Sequence, residues 1–223
     1  MFAPNAPNPP ADLPQPQAPQ NPPAVRQEEE EEEEEPSEPT YSIFGGNDGG
    51  SQVIQFQLAS MQYVMLNQDS VLYAHPEVRV HEGYESRFLT GPKFDYYEHL
   101  GNQPSIYCGA GGPHAGKILP IVLLKKRVPL LVQDDCCLAN TGFVIREPVC
   151  LKAGTNTEHQ LQMTRFTAEP SGWPPRMRGA SVFVQSPGCI METNLGPNES
   201  LHVYTSAIVA LTEGVTLQVP LTS

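Results

Sequence analysis

The sequence predicts an all-β fold, a sandwich or barrel made of about a dozen short strands. Turn-forming residues recur every several positions, and no stretch carries the apolar periodicity of a long helix. One strand-turn-strand pattern also occurs three times, and near-regular self-similarity indicates repeated units around a shared core. The copies cover residues 64–74, 130–139 and 201–210, with Asn67, Gln133 and Tyr204 as equivalents spaced 66 and 71 residues apart.

The first clear strand covers residues 51–58, where apolar Val53, Phe56 and Leu58 alternate with glutamines. Such alternation is typical of a strand with one wet face. Residues 83–104 are irregular because Gly and Pro interrupt them, and we expect their aromatic side chains to cap the end of the sheet core. The remaining predicted strands are residues 63–66, 71–74, 77–81, 117–124, 128–132, 143–145, 161–166, 181–184, 189–193, 200–204, 207–211 and 215–219.

Residues 1–40 form a separate, disordered tail in this prediction. The tail holds 11 of the 24 prolines, the unbroken run Glu28 to Glu35, and a net charge of −9 out of −12 for the whole chain. Such a composition cannot bury enough apolar surface to offset the entropy of ordering. A solvated spacer is the preferred interpretation. A docking arm for a basic partner, or a proline-rich ligand for an aromatic groove, is the alternative.

Residues 41–223 suit one β domain, with repeats at roughly 51–105, 106–180 and 181–223. The domain's net charge of −3 provides no basic footprint for nucleic acid. No apolar run is long enough to span a bilayer, and we expect no transmembrane segment. With no visible secretory signal or transit peptide, the five cysteines suggest reduced thiols in a cytoplasmic compartment.

The best candidate for a metal site is the set His75, Glu77 and His81. An unbroken strand would place all three on one face, since their spacing is even, and His99 could approach from the following loop. Two histidines and a carboxylate are a recognised ligand set for a non-haem metal. Pro76 interrupts the strand, however, so histidines on a solvated β face are the preferred interpretation and no cofactor is predicted.

We predict no catalytic residues. The chain lacks the Gly-x-Ser-x-Gly elbow of many hydrolases, and its glycine-rich stretches lack phosphate-binding spacings. Asp134 and Asp135 lie at a polar corner, where Asp favours turns. Cys136 and Cys137 occupy positions that are small or apolar in the other repeats, which indicates packing and disfavours a zinc or redox role.

Two stretches resemble a known family. Residues 113–121 (PHAGKILPI) together with 130–139 (LLVQDDCCLA) form the first stretch, and residues 195–211 (LGPNESLHVYTSAIVAL) form the second. They are similar to motifs of the altered inheritance of mitochondria protein 24 family, within the tryptophan RNA-binding attenuator protein-like (TRAP-like) superfamily. The resemblance covers roughly residues 50–219, with the first repeat the weakest part.

The resemblance implies a double-stranded β-helix, or barrel, of three pseudo-symmetric attenuator-like repeats. It implies no enzymatic activity and supplies no catalytic residues. Fungal members are mitochondrial, so a mitochondrial location follows by analogy, although the acidic tail is not a family feature. Family members continue beyond the position of Val219, so the third repeat is expected to be C-terminally shortened, with an exposed edge that could pair with another chain.

We therefore expect an uncharacterised, non-enzymatic β-scaffold that acts through protein–protein interaction. Its partners are unknown proteins, and a homo-oligomer through the exposed C-terminal β edge is one form that this could take. The alternative is a cupin-like metal or small-molecule binding protein that uses His75, Glu77 and His81. RNA binding ranks third, because the chain lacks periodic basic residues.

Overall fold

The structure, a computed structural model, describes residues 38–46, 50–83, 91–112, 116–123, 128–142, 144–152, 160–168 and 180–218. The chain divides into two compact units, Met1–Glu34 and Glu35–Ser223, and every described residue belongs to the second. The tail prediction for residues 1–37 lies outside the described residues. Glu38 to Thr40, at the end of the predicted tail, are described, and Thr40 begins the first strand.

The described residues confirm the all-β prediction, and none of them is in an α-helix. Their strands are β1 (Thr40–Gly45), β2 (Gln52–Leu58), β3 (Tyr63–Asn67), β4 (Val71–Ala74), β5 (Arg79–Glu82), β6 (Phe94–Glu98), β7 (Ile106–Ala110), β8 (Lys117–Val122), β9 (Leu130–Gln133), β10 (Cys137–Gly142), β11 (Val144–Lys152), β12 (Gln160–Ala168), β13 (Ala180–Ser186) and β14 (Ala210–Thr212).

These strands form three antiparallel sheets. Sheet A has the order β1-β2-β7-β4, sheet B the order β5-β6-β3-β10-β13-β8, and sheet C the order β11-β12-β9-β14. Within the described part of the chain no closed barrel is found, because each sheet ends in two outer strands. No helix in that part is long and apolar enough to cross a membrane.

The three predicted corners are short 3-10 turns, at Gln68–Ser70, Asp134–Cys136 and Thr205–Ala207. The residues that precede them are Asn67, Gln133 and Tyr204, the three positions that the sequence pattern makes equivalent. Each of these residues has an extended backbone, so each turn begins where a strand-like segment stops. The structure therefore confirms that the three copies share one local conformation.

Two of the three corners have a strand directly on each side, and each of these two carries the chain from one sheet into another. The first corner joins β3 of sheet B to β4 of sheet A, and the second joins β9 of sheet C to β10 of sheet B. Strands β4 and β10 then pair with β7 and β13, and both pairs have a register shift at the same place, next to Leu72 and Leu138. One extra residue at equivalent positions is a β-bulge, which bends a strand and increases its twist.

Neighbouring repeats pair in a constant register. Ala139 lies opposite Leu66, which joins the second repeat to the first. Ala210 lies opposite Val132, which joins the third repeat to the second. Ala139 and Ala210 each lie five positions after the first residue of their own corner. Their partners, Leu66 and Val132, each lie two positions before the first residue of the preceding corner. The repeats therefore share both a local shape and a rule for their mutual contact.

The third repeat differs from the prediction. Among its described residues, the strands are β13 (Ala180–Ser186) and Ala210–Thr212, whereas residues 189–193, 200–204 and 215–218 are not strands. The amino-acid pattern of those segments favours strands, but a strand forms only where a neighbour accepts its backbone hydrogen bonds. The described part of the chain places no neighbour beside them.

The largest core lies between sheets A and B. Ile54 and Phe56 from β2 meet Leu66 from β3 and Phe183 from β13, all fully buried. Strand β1 was not predicted, and it covers this core through Tyr41, whose ring stands edge-on to Phe183. A second core lies between sheets B and C and includes Met65, Phe94, Val132, Phe166 and Val182.

A third, small cluster lies on sheet C. Leu131, Leu161 and Met163 are buried there, packed only against partly buried residues such as Leu211 and Leu217. Apolar burial stabilises in proportion to the area removed from water, so this smaller cluster stabilises less than the other two. The side of the molecule that carries the third repeat is therefore the least covered.

Glu38 brings a carboxylate into the edge of the fold. Its Oε2 atom accepts hydrogen bonds from the hydroxyls of Thr141 and Ser181, at 3.4 and 3.3 Å, which are neighbours across β10 and β13. Its Oε1 atom is buried and has no partner among the described residues. Burial raises the pKa of the Glu38 carboxyl, and the two hydroxyl hydrogen bonds only partly oppose this effect.

Replacing Glu38 with glutamine tests this burial through pH. Because the folded protein holds the Glu38 proton more tightly than the unfolded chain, the native protein loses stability as pH rises above the ordinary glutamate pKa of about 4.3. The Glu38→Gln variant has no carboxyl to ionise and lacks this loss. The free energy of unfolding of the variant, minus that of the native protein, should therefore increase between pH 4 and pH 7. Urea unfolding at several pH values measures the difference. A difference that stays constant with pH would contradict the assigned burial.

Candidate functional site

The structure does not assemble the three predicted metal ligands. His75 follows β4 of sheet A, His81 lies on β5 of sheet B, and Glu77 lies in the turn between them. Among the described residues no group of three or more His, Cys, Asp or Glu side chains could hold a metal ion. The chain turns at Pro76, so the even spacing does not translate into one shared face.

Each of the three side chains has a local partner instead. His75 accepts a hydrogen bond from the Glu77 backbone N–H through Nδ1, at 3.2 Å. Glu77 accepts one from the Gln103 side chain at 2.7 Å, and His81 lies 3.4 Å from the Glu98 carboxylate. These contacts tie the turn after β4 to the loop after β6. The metal set stays a prediction that the geometry does not favour.

His99, the fourth residue considered, is fully buried and holds a loop together. Its Nδ1 atom accepts the Gly101 backbone N–H at 3.2 Å, so the proton must lie on Nε2, which is 2.9 Å from the Gln103 carbonyl. Both ring nitrogens are therefore used inside one turn. The role that follows is structural, since neither nitrogen has a lone pair free for a metal.

The cysteines at the second corner are also poor candidates for chemistry. Cys137 is buried in the second core, and burial raises the pKa of its thiol. Burial raises the pKa of Cys136 to about 11 and that of Cys108 to about 12. The thiolate is the form that attacks or binds metal, so these positions favour inert packing.

The outer strands of the three sheets are more distinctive than the histidines and cysteines. An outer strand leaves backbone N–H and C=O groups unpaired, and proteins usually protect it with proline or charge. Pro120 lies in β8 and Pro148 in β11, while β5 carries Arg79, His81 and Glu82. These three outer strands thus have the usual protection.

Strands β4 and β14 have no such protection. Neither contains proline, Asp, Glu, Lys or Arg, and in β4 the side chains of Leu72 and Tyr73 are exposed. Strand β1 also lacks these residues but follows Pro39 directly. We call the unpaired side of β4 the open edge, because the equivalent side of β10 is covered by β3 and that of β14 by β9.

A second unusual feature is the exposed segment, residues 191–207. Every residue in it is exposed, including the large apolar side chains of Leu201 at 56% and Tyr204 at 87%. The backbone groups of Leu201, His202 and Val203 make no hydrogen bond within the described part of the chain. Exposed apolar side chains on an unpaired backbone are typical of a surface that binds another protein.

The interaction features were only partly visible in the sequence. The exposed C-terminal edge was predicted, but the open edge on β4 in the first repeat was not. The signal that could have revealed it is the run Val71 to Ala74, a strand pattern without charge or proline. Its position at the end of a sheet depends on pairings that a local pattern does not contain.

The fold and its edges define a class of protein: an all-β protein of three antiparallel sheets, built from repeated strand-corner-strand units. The chain belongs to the AIM24 family, described as mitochondrial biogenesis AIM24, whose sequence profile matches residues 46–223. This match confirms the resemblance found in the motifs of the second and third repeats. The family is linked to mitochondrial biogenesis by that description.

Comparison with other proteins adds little about activity. No match was found among curated proteins. A crystal structure of a Streptococcus pyogenes protein is similar over 67% of this chain, with 13% sequence identity and a TM-score of 0.49. The similar region spans 65% of that protein's length.

Proposed function

We propose that this AIM24-family protein is a non-enzymatic β-scaffold that acts through protein–protein contacts at its uncovered strands. The observation that supports this most directly is that one chain has both an unprotected open edge on β4 and an exposed segment with apolar side chains. An extended strand from a partner can add to such an edge, since backbone hydrogen bonds supply affinity and alternate side chains supply specificity.

The same observations support binding over catalysis. His75 and His99 have structural partners, and no described cluster of ligating side chains could hold a metal. A mitochondrial site of action is part of the proposal, on the strength of the family's description. The sequence alone suggests a cytoplasmic protein, so fractionation of cells that express the full chain would decide between the two compartments.

Affinity capture of the full chain tests the proposal, with Ala74→Pro as the edge variant. The His75 N–H donates to the Tyr107 carbonyl on β7, so the neighbouring Ala74 directs its backbone groups towards the open edge. Proline at position 74 removes an outward donor while leaving the hydrogen bonds to β7 in place. A partner protein recovered in stoichiometric amounts with the native chain should be lost with the variant. Equal recovery of every co-purifying protein with both chains would contradict the proposal.

A further inference from the structure

We infer that residues 201–204 of one molecule pair with the open edge of β4 in a second copy, so that two chains exchange strands. This inference rests on the proposed scaffold function and names one partner, the chain itself. It depends on the junctions between repeats. The described residues form two of them, between the first and second repeats and between the second and third, but none between the first and third. A second copy brings both missing halves, the open edge and the exposed segment.

The register of the missing junction follows from the two that exist. Ala139 opposite Leu66 and Ala210 opposite Val132 obey the same offset from their corners. Applied to the first and third corners, that offset places Tyr73 opposite Val203. The next pair along the antiparallel ladder is then Ala74 opposite His202. The new interface is thus a continuation of contacts that the fold already uses.

The hydrogen bonding of this register is also determined. Ala74 directs its N–H and C=O away from β7, because the adjacent His75 N–H binds the Tyr107 carbonyl. Its opposite residue, His202, makes no backbone hydrogen bond with any other described residue of the chain. Ala74 and His202 therefore form a hydrogen-bonded pair, and Tyr73 with Val203 form the closer, non-hydrogen-bonded pair.

The side chains fit a pairing of two copies. The Tyr73 ring lies over Gly109 and its hydroxyl donates to Gln55 at 2.6 Å, yet the ring stays substantially exposed. Val203 is also exposed, and the two side chains would cover part of each other on one face of the sheet. Neither 71–74 nor 201–204 contains Asp, Glu, Lys or Arg, so a reciprocal exchange sets no like charges opposite one another. Each copy offers both strands, so the exchange closes as a two-fold dimer.

The chain's own segment does not occupy this edge. Ala210–Thr212 pairs with β9, and among the described residues the preceding 201–204 form no strand pairing with β4. Exchange of an identical element between two copies is a low-cost route to a dimer when the element and its docking site are present in one chain but not joined.

Analytical ultracentrifugation of the full chain over a range of concentrations tests the inference. The native chain should form a concentration-dependent dimer. His202→Pro removes the donor that faces Ala74 and should raise the dimer dissociation constant by about tenfold or more. His202→Ala, which keeps the backbone N–H, is the matched control and should stay close to native. Position 202 is exposed and makes no backbone hydrogen bond with the described residues, so both substitutions should leave the monomer fold intact.

Disulfide trapping identifies the register. Two differently tagged chains, one with Tyr73→Cys and one with Val203→Cys, should cross-link when mixed, because close antiparallel pairs lie within disulfide reach. The exposed Cys150 and Cys189 are replaced by serine in both chains. Tyr107→Cys, an exposed position on β7, replaces Tyr73→Cys as the control and should not cross-link with Val203→Cys.

Two results would overturn the inference. One is a native chain that stays monomeric at all concentrations. The other is a single chain with both Tyr73→Cys and Val203→Cys that forms an internal disulfide as a monomer, which would mean that the segment closes its own edge. A monomeric chain without an internal disulfide leaves the scaffold function untouched, because the open edge stays available and the capture experiment counts proteins other than the chain itself. An internal disulfide would count against both, because the edge would then be covered within one chain.

Discussion

Replacing Phe183 with alanine is expected to lower the free energy of unfolding by about 3–5 kcal/mol, enough to abolish much of a typical domain's stability. Phe183 lies on β13 and is 0% exposed. Its ring stands edge-on to Phe56 at 5.0 Å and to Tyr41 at 4.9 Å, so it joins strands of sheets A and B. Truncation removes buried apolar area, leaves a cavity, and ends two favourable ring contacts.

Urea unfolding followed by fluorescence or circular dichroism measures this loss. Phe44→Ala is the matched control: Phe44 lies on β1 and is 52% exposed, so its truncation should cost less than about 1 kcal/mol. If both variants lost similar stability, the placement of the main core between sheets A and B would be wrong.

The second large effect is expected for Gln185→Leu, at about 2–4 kcal/mol. Gln185 is buried on β13, and its amide binds backbone groups outside its own strand. Its Nε2 donates to the carbonyls of Gln52 at 3.0 Å and Gly116 at 3.2 Å, and its Oε1 accepts the Gly112 N–H. Leucine has a similar volume but no polar atoms, so buried backbone groups lose partners that water cannot replace.

Gln57→Leu provides the comparison for Gln185→Leu. Gln57 lies on β2, is exposed, and makes one side-chain hydrogen bond, to the Ser105 hydroxyl at 2.9 Å. Water can replace that bond, so the change should stay within about 0.5 kcal/mol. A thermal melt of the two variants side by side separates them. Equal melting temperatures would show that the buried hydrogen bonds of Gln185 add no net stability.

The corners were predictable because their signal is local. Asn67 is a clear case: an apolar strand ends, a short polar run follows, and the Asn side chain accepts the Asp69 N–H at 3.3 Å. The Asn67 amide also donates to the Cys137 carbonyl at 2.8 Å, a contact across 70 residues that no local pattern contains. Sequence reasoning could therefore place the corner but not its role in joining two repeats.

The strands of the third repeat were over-predicted for the same reason. Residues 200–204 precede their corner as β3 and β9 precede theirs, and Leu201 and Val203 alternate with polar residues, yet a strand pattern describes only one side of a hydrogen-bonded ladder. Strand β1 shows the reverse error, since its glycine-rich surroundings concealed a segment that pairs with all of Gln52 to Gln57. Whether each segment forms a strand depends on a pairing segment elsewhere in the chain, which a local pattern does not contain.

The candidate ligands His75, Glu77 and His81 do not share one strand, and periodicity holds only within a continuous strand. The chain leaves sheet A after Ala74 and enters sheet B at Arg79, so the even spacing spans a change of sheet. The open edge, by contrast, could not be located without the sheet order. Residue type indicated that β4 was unprotected, while only the fold showed that nothing covers it within the described residues.

The junction between β3 and β10 also has a consequence for synthesis on the ribosome. Strand β3 is interior to sheet B, but one of its two neighbours is translated about 70 residues later. At ordinary elongation rates that delay is about 4–14 seconds. Throughout it, β6 can pair with one side of Val64 to Leu66 while the other side waits for β10, and an unpaired strand edge on a nascent chain favours aggregation.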